Sequence, residues 1–210
     1  MSRTLTDLIA TEEQLRELVP APRTQAVWDK SIAVIDAHCR DFIAKSPFVL
    51  VATTDTTGRM DISPKGDPPG FVRVLDEKTL AIPERPGNGR ADSFRNILEN
   101  PRVGLYFLIP GKGETLRMSG SARLVRDQWL LDEMAMKERP AILALVVDVE
   151  EAFFHCPKCI IRSHLWEQDE WPDASGLASL SRAVIDHARL DVPEEAVAAH
   201  LQKDVEKRLY

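Results

Sequence analysis

The sequence predicts a mainly β protein with flanking helices, built on a small antiparallel barrel of about six strands, closed or split. Short runs of β-branched or alternating residues fill the middle of the chain, and tight turns separate them. Helical periodicity is strongest toward the two ends. A chain of 210 residues buries one core. We therefore expect a helical segment at 1–46, the barrel at 47–165 and a helical extension at 166–210.

The composition limits the partners. The net charge of -6 argues against nucleic acid, because a phosphate backbone is normally met by a surplus of basic residues. No apolar run approaches the length of a membrane span, and acidic residues interrupt the N-terminus where a signal peptide would have its apolar core. The three cysteines are too few and too odd in number for a disulfide scaffold. These features predict a soluble, cytoplasmic protein.

The predicted helices lie mainly outside the barrel. Thr11 followed by Gln14 fits a capping box at the start of a first helix. Apolar residues at helical spacing predict a second helix over 24–45. In the tail, a stripe over 177–188 predicts one helix, and the segment after Pro193 predicts another whose charge order suits its dipole. A short helix is also expected in the segment DQWLLDEMAM between the last two strands.

The strands follow one another with short connections. Their segments are FVLVATT, MDISP, FVRVL, LAIP, RVGLYFLIP, TLRMSGSARLV and AILALVVDVEEAFFHC. The first four read as a meander, which implies an antiparallel sheet or barrel. Gly120 lies inside the sixth segment, where a glycine indicates a bulge or the close approach of a ligand or second chain.

The segment ERPGNGRADSFRNILENP follows the fourth strand and carries the strongest chemical signal. Arg85 and Arg90 supply planar donors suited to phosphate oxygens, and the glycines between them allow close approach of the backbone. Asn88 and Ser93 add neutral donors. Asp92 is expected to cap a helix over residues 93–99 whose first amides would point at an anion, with Asn100-Pro101 ending it. The residues alone leave a solvated surface loop equally open, because no strict phosphate-loop signature is present.

The order of SPKGDPPGF, IPERPGNGRADSFRNILENPRVGLYFLIPG and ETLRMSG resembles the pyridoxamine 5'-phosphate oxidase-like, FMN-binding split-barrel superfamily, and within it a subgroup of FMN-dependent enzymes. The resemblance covers about residues 25–170. It implies a six-stranded split barrel, and a homodimer with FMN lying between two barrels.

The resemblance also implies positions for the cofactor. The residues that grip the phosphate would be Arg85, Asn88, Arg90 and Ser93, with Arg95 as an alternative to Ser93. The strand beneath the flavin ring would contribute Ile62, Ser63, Pro64 and Lys65, and the start of the later hairpin would contribute Thr115 or Glu114. The lysine usual in the phosphate loop of pyridoxamine phosphate oxidase is absent, and that enzyme's C-terminal motif is not visible. Pyridoxamine phosphate is therefore not assigned as the substrate.

The segment HCPKCIIRSHLW is compatible with several kinds of site and with none. Cys156 and Cys159 have the spacing of a zinc pair or a redox pair, but no second such pair exists, and packing or a plain turn is the simplest interpretation. No metal is assigned. Lys158 and Arg162 could recognise an anionic substrate, or they could belong to a surface turn.

Together these observations predict an FMN-dependent oxidoreductase acting on an unidentified small molecule. No side chain stands out as a catalytic acid or base, which is expected where a flavin carries the chemistry. A deazaflavin-dependent reductase remains an alternative. A flavin- or heme-binding protein without turnover is another.

Overall fold

The computed structural model describes residues 4–210, and the chain divides between Ser31 and Ile32 into two compact units. The first unit contains α1 (Glu12–Leu18) and α2 (Ala26–Asp29). The predicted capping box is confirmed: the Thr11 hydroxyl accepts from the Gln14 amide, and the Gln14 side chain accepts from the Thr11 amide, both at 3.3 Å.

The single helix predicted over residues 24–45 is wrong in its middle. The second unit starts instead with an extended residue, Ile32, whose amide donates to the carbonyl of Ala152 at 3.0 Å. Helix α3 (Ala37–Lys45) then begins anew, because the Asp36 carboxylate accepts from an amide of its first turn at 2.8 Å. The local periodicity predicts one continuous helix. The pairing of Ile32 with Ala152 and the new N-cap at Asp36 divide it into two.

The second unit is built on one antiparallel sheet of seven strands, in the order β2-β1-β5-β6-β7-β4-β3. The predicted number of six is wrong. The segment FVRVL keeps only a two-residue edge strand, but that strand does pair with its neighbour and brings the total to seven. The strands are β1 (Phe48–Thr54), β2 (Met60–Gly66), β3 (Arg73–Val74), β4 (Thr79–Pro83), β5 (Arg102–Leu108), β6 (Thr115–Val125) and β7 (Ala144–His155).

Five α-helices and a short 3-10 helix complete the second unit. They are α4 (Asp92–Glu99), α5 (Gln128–Glu133), α6 (Lys158–Arg162), the 3-10 helix Gln168–Glu170, α7 (Leu180–Ala188) and α8 (Glu194–Arg208). Within residues 4–210, none of the helices combines the length and the apolar character needed to cross a membrane.

The two faces of the sheet differ in burial. Alternate residues of the central strands, such as Val51, Leu105 and Phe107, are buried in a core that also takes Phe42 and Ile43 from α3. The residues between them point to the other side and keep part of their surface. We call this second side the outer face; its members include Leu50, Ala52, Ile62, Pro64, Tyr106, Arg117, Ser119 and Phe153, which the strand register aligns in two rows.

A β-bulge interrupts β6, as the sequence predicts. The pairing of β6 with β7 shifts register between Ser119 and Gly120. A Cβ atom at Gly120 would run into the backbone carbonyl of Asp148. The glycine is therefore required here by the close approach of the neighbouring strand.

Candidate functional site

A cleft of about 960 Å³ lies between β2 and the loop that leads from β4 into α4. Residues 61–67, 83–94, 142–143 and 208–210 line it, together with Phe71. Eight of the nine predicted cofactor-binding residues belong to this lining: Ile62, Ser63, Pro64, Lys65, Arg85, Asn88, Arg90 and Ser93. Two stretches that lie some twenty residues apart in sequence thus form opposite walls of one site.

The N-terminus of α4 lies in the wall of the cleft without a side-chain cap. The N-cap is Ala91, in the left-handed conformation at φ 55°, and within residues 4–210 the helix start has no side-chain cap hydrogen bond. The predicted N-cap, Asp92, is wrong by one position: it is the first residue of the helix, and its carboxylate accepts from Arg90 Nε at 2.6 Å. An uncapped helix start presents amide donors and a positive dipole end, which suits an anion.

The loop before α4 is shaped by its own amide side chain. The Asn88 side-chain oxygen accepts from the backbone amide of Arg90 at 3.0 Å, across Gly89 at φ 74°. The Arg90 side chain is 67% exposed, so its pair with Asp92 is a solvent-screened contact. Pairs of this kind contribute little to stability, which leaves the guanidinium able to bind a ligand anion instead.

Arg85 is held quite differently. Its Nε donates to Asp67 Oδ2 at 2.7 Å, and its Nη2 donates to the carbonyl oxygen of Met134 at 2.7 Å. The Asp67 side chain is 1% exposed, so this ion pair is shielded from water. Arg85 therefore cross-links three segments around the cleft and is only partly available to a ligand.

Lys65 lies on the β2 wall between two partners. Its ammonium is 2.6 Å from Glu84 Oε2 and 4.9 Å from the centroid of the Phe94 ring. The acidic partner comes from the end of β4 and the aromatic partner from the first turn of α4. Lys65 thus links β2 to both elements that carry the loop.

Two polar contacts fix α4 on the edge of the sheet. The buried Ser93 hydroxyl donates to the Asp61 carboxylate on β2, and the Asn96 side chain donates to the Thr53 hydroxyl on β1 at 3.0 Å. Ser93 is therefore engaged with the protein as well as lining the cleft. These contacts hold the helix start at the mouth of the site.

The remaining predicted residues lie elsewhere. Thr115 is buried at the start of β6, where its hydroxyl donates to Tyr106 Oη at 2.9 Å, and it does not line the cleft. Lys158 and Arg162 are exposed on α6 and also lie outside the cleft lining. Cys156 and Cys159 are exposed as free thiols. Among residues 4–210, no group of three or more His, Cys, Asp or Glu side chains could hold a metal ion.

The cleft side chains that sequence reasoning did not find include four polar ones, Asp67, Glu84, Arg208 and Tyr210. Tyr210 Oη donates to Asp67 Oδ1 at 2.9 Å, and this bond to the carboxylate raises the pKa of Tyr210. Arg208 Nη2 donates to the carbonyl oxygen of Gly87 at 3.2 Å. The acidic residues flank the predicted stretches and could have been included as partners for the lysine and arginine. The two C-terminal residues had no comparable local signal.

A second cavity of about 430 Å³ lies on the outer face. Its walls are mostly apolar and include Leu50, Ala52, Met118 and Phe153, with Arg117 4.9 Å from the centroid of the Phe153 ring. Ile62 lines both this cavity and the cleft. The cleft and the mostly apolar cavity of the outer face are therefore adjacent at β2.

Several solved structures are similar to this chain at low identity. HupZ of Group A Streptococcus is 22% identical, with 57% of this chain and 93% of that chain covered at a TM-score of 0.47. A candidate pyridoxamine 5'-phosphate oxidase from Lactobacillus delbrueckii is 21% identical, with 58% and 95% covered at 0.47. An FMN-binding protein from Syntrophomonas wolfei is 13% identical, with 55% and 86% covered at 0.41.

The family to which the chain belongs follows from a different comparison. No curated protein matches the chain. The family model described as pyridoxamine 5'-phosphate oxidase, however, matches residues 35–156, which span β1 to β7 and the whole loop before α4. The chain therefore belongs to the pyridoxamine 5'-phosphate oxidase family.

Proposed function

We propose that this protein is an FMN-dependent oxidoreductase that acts on a small molecule and works as a homodimer. One observation carries the proposal: the β2 residues and the arginine-bearing loop, predicted as two separate parts of a cofactor site, line one cleft at the uncapped start of α4. A ligand with an anionic end and a flat ring matches the chemistry of this lining.

The phosphate would bind at the loop end of the cleft. Arg90 is exposed and holds only a screened surface pair, so it can turn its charge to a phosphate, while the first-turn amides of α4 add neutral donors. Asn88 stabilises the loop conformation through the Arg90 amide. Arg85 contributes mainly by orienting the loop, because its guanidinium is committed to Asp67 and Met134. The donor set thus fits a phosphate with Arg90 as its principal charge.

The flavin ring would lie along β2 toward the outer face. Ile62 and Pro64 are exposed apolar residues of that strand, and Ser63 and Lys65 alternate with them. Because Ile62 lines both cavities, a ring that starts in the cleft can extend onto the apolar outer face. Apolar walls with a few convergent polar groups are typical of cofactor sites.

The outer face also supports the proposed dimer. Met60 and Ile62 are 61% and 63% exposed on the edge strand β2. Leu50 and Phe153 continue the apolar surface across the sheet. A contiguous apolar patch of this kind marks an interaction site, and a second copy of the same chain would cover it and the ring together.

The bound flavin would supply the electron transfer, and the protein would bind and orient it and exclude water. Thr115, the first residue of β6, remains a candidate for a contact to the flavin. Lys158 and Arg162 remain candidates for binding an anionic substrate, because both are exposed cations on the helix that directly follows β7.

The absorbance spectrum of the purified protein tests the proposal. A bound flavin gives a yellow protein, whereas a deazaflavin or a heme gives a different spectrum and would identify one of the alternative cofactors. Bleaching by NADH or NADPH under anaerobic conditions, followed by recovery in air, is the expected behaviour of the oxidoreductase. A colourless protein that takes up no added FMN would contradict the proposal.

A further inference from the structure

Tyr210 sits in a site that holds it by three different contacts. Its hydroxyl donates to Asp67 Oδ1 at 2.9 Å, its ring lies 4.8 Å from Lys137 Nζ, and its backbone carbonyl accepts a hydrogen bond from Arg139. The contacts come from the end of β2 and from the segment after α5. Hydroxyl, ring and backbone are thus each bound by a different protein residue.

The turn that provides two of these contacts has an unusual backbone. Met136 and Arg139 pair through reciprocal backbone hydrogen bonds of 2.9 and 3.0 Å. The two residues between them, Lys137 and Glu138, are both left-handed, at φ 49° and 62°. Turns of this shape favour glycine and asparagine, because other side chains disfavour positive φ. The turn therefore holds a costly conformation in which Lys137 and Arg139 face Tyr210.

Tyr210 is linked to the arginine-bearing loop through Asp67. The two oxygens of the buried Asp67 carboxylate are divided between Tyr210 and Arg85. Arg208 bonds the backbone of Gly87 in the same loop. We call residues 208–210 the strap; it contacts the loop directly at Gly87 and reaches Arg85 through Asp67.

We propose that the strap positions the proposed phosphate-binding loop, with Tyr210 acting through Asp67 to fix Arg85. The proposal deepens the FMN-dependent function and rests on it only for the identity of the ligand. A carboxylate beside a phosphate site repels the phosphate unless donors occupy its oxygens, and Tyr210 together with Arg85 does this for Asp67. A loop fixed before the ligand arrives also loses less entropy on binding. Tyr210 is therefore a positioning residue that touches no reacting atom.

The test compares three variants of the full-length chain. Tyr210→Phe removes only the hydroxyl and keeps the ring on Lys137. Asp67→Ala removes both carboxylate oxygens, so that neither the Tyr210 hydroxyl nor the Arg85 guanidinium keeps that acceptor. Glu206→Ala is the matched control on the same end of α8, because the Glu206 carboxylate accepts from Gln202 in the adjacent turn and does not line the cleft. Arg139→Ala, which loosens the strap from its other side, replaces Tyr210→Phe if that variant does not fold.

Two readouts are measured. Hydrogen exchange of the amides at residues 85–91 is followed without ligand, and release of FMN is followed by its fluorescence after dilution. We expect Tyr210→Phe to speed both exchange and release by about 2- to 10-fold, the effect of one lost hydrogen bond, with association unchanged. Glu206→Ala should change neither rate. In the Asp67→Ala background, Tyr210→Phe should have almost no further effect, because the oxygen that accepts from the hydroxyl is then absent.

The results separate the strap from the cofactor. If the wild-type chain binds no FMN, the proposed function fails, but the exchange measurement still decides whether Tyr210 orders the loop. Exchange at residues 85–91 that is the same in Tyr210→Phe and the wild type would overturn the proposal. Equal effects of Tyr210→Phe with and without Asp67→Ala would also overturn it, because the two residues would then act independently.

Discussion

Arg85 and Arg90 lie in one loop, but only Arg85 forms a buried ion pair. Arg85 bonds Asp67, whose side chain is 1% exposed, whereas Arg90 bonds Asp92 with its own side chain 67% exposed. The sequence gives no reason to distinguish the two arginines. In the structure, Arg85 holds the loop in place, whereas Arg90 can exchange Asp92 for another anion.

The first prediction concerns stability without ligand. Arg85→Ala leaves the Asp67 carboxylate buried with only the Tyr210 hydroxyl, so it should lower the free energy of unfolding by about 3–5 kcal/mol. Arg90→Ala removes a screened pair and should change it by no more than about 1 kcal/mol. Urea denaturation of the two variants, followed by circular dichroism, measures both values. A similar loss of unfolding free energy in both variants would show that the buried ion pair stabilises the protein no more than the exposed one.

The second prediction concerns FMN affinity. Arg90→Ala should weaken binding by about 1.5–3 kcal/mol, which is roughly 10- to 150-fold in Kd, because a charge-assisted contact to the phosphate is lost. Arg182→Ala is the control, since Arg182 is a similarly exposed arginine that pairs with Asp186 on α7, away from the cleft. Titration with FMN, followed by fluorescence, gives both constants. Unchanged affinity in Arg90→Ala would rule out Arg90 as the phosphate ligand.

The third prediction concerns the cysteines. Burial raises the pKa of Cys39 to about 12, with the neighbouring Asp36 adding to the effect, so its thiol stays protonated and unreactive at pH 8. Cys156 and Cys159 are exposed. A freshly reduced native protein should therefore react at two thiols per chain, and the third should react only after unfolding. Mass spectrometry after a short exposure to iodoacetamide counts them, and rapid labelling of Cys39 would contradict the buried position.

The local pattern was a good guide to the strands and to the loop. It predicted the extent of β6, the irregularity at Gly120 and the end of α4 at Asn100. It joined α2 and α3 into one helix, because the pairing of Ile32 with Ala152 spans more than a hundred residues and leaves no mark on periodicity.

The partners of the site residues were beyond local reasoning for the same reason. Eight of the residues that line the cleft could be named from the resemblance, since they lie in two short motifs. The pairing of each charged side chain with its partner could not be predicted in this way. Asp67 meets Arg85 only because β2 and the end of β4 are brought together, and it meets Tyr210 across 143 positions of sequence. Tertiary contacts therefore decide the electrostatics of the cleft, including the contributions of residues that no local motif indicates.

The last prediction concerns the outer face. Leu50 lies in a central strand, and its side chain lines the apolar cavity there, facing away from the core. Leu50→Glu would place a charge in the proposed interface, where a second copy brings the same charge into a dry contact, so the dimer should dissociate while the subunit stays folded. Leu177→Glu is the control, because Leu177 is 77% exposed outside the sheet and should leave the dimer intact. Analytical ultracentrifugation gives the mass of each variant. A wild-type chain that sediments as a monomer, or a Leu50→Glu variant that remains a dimer, would show that this face does not join two copies.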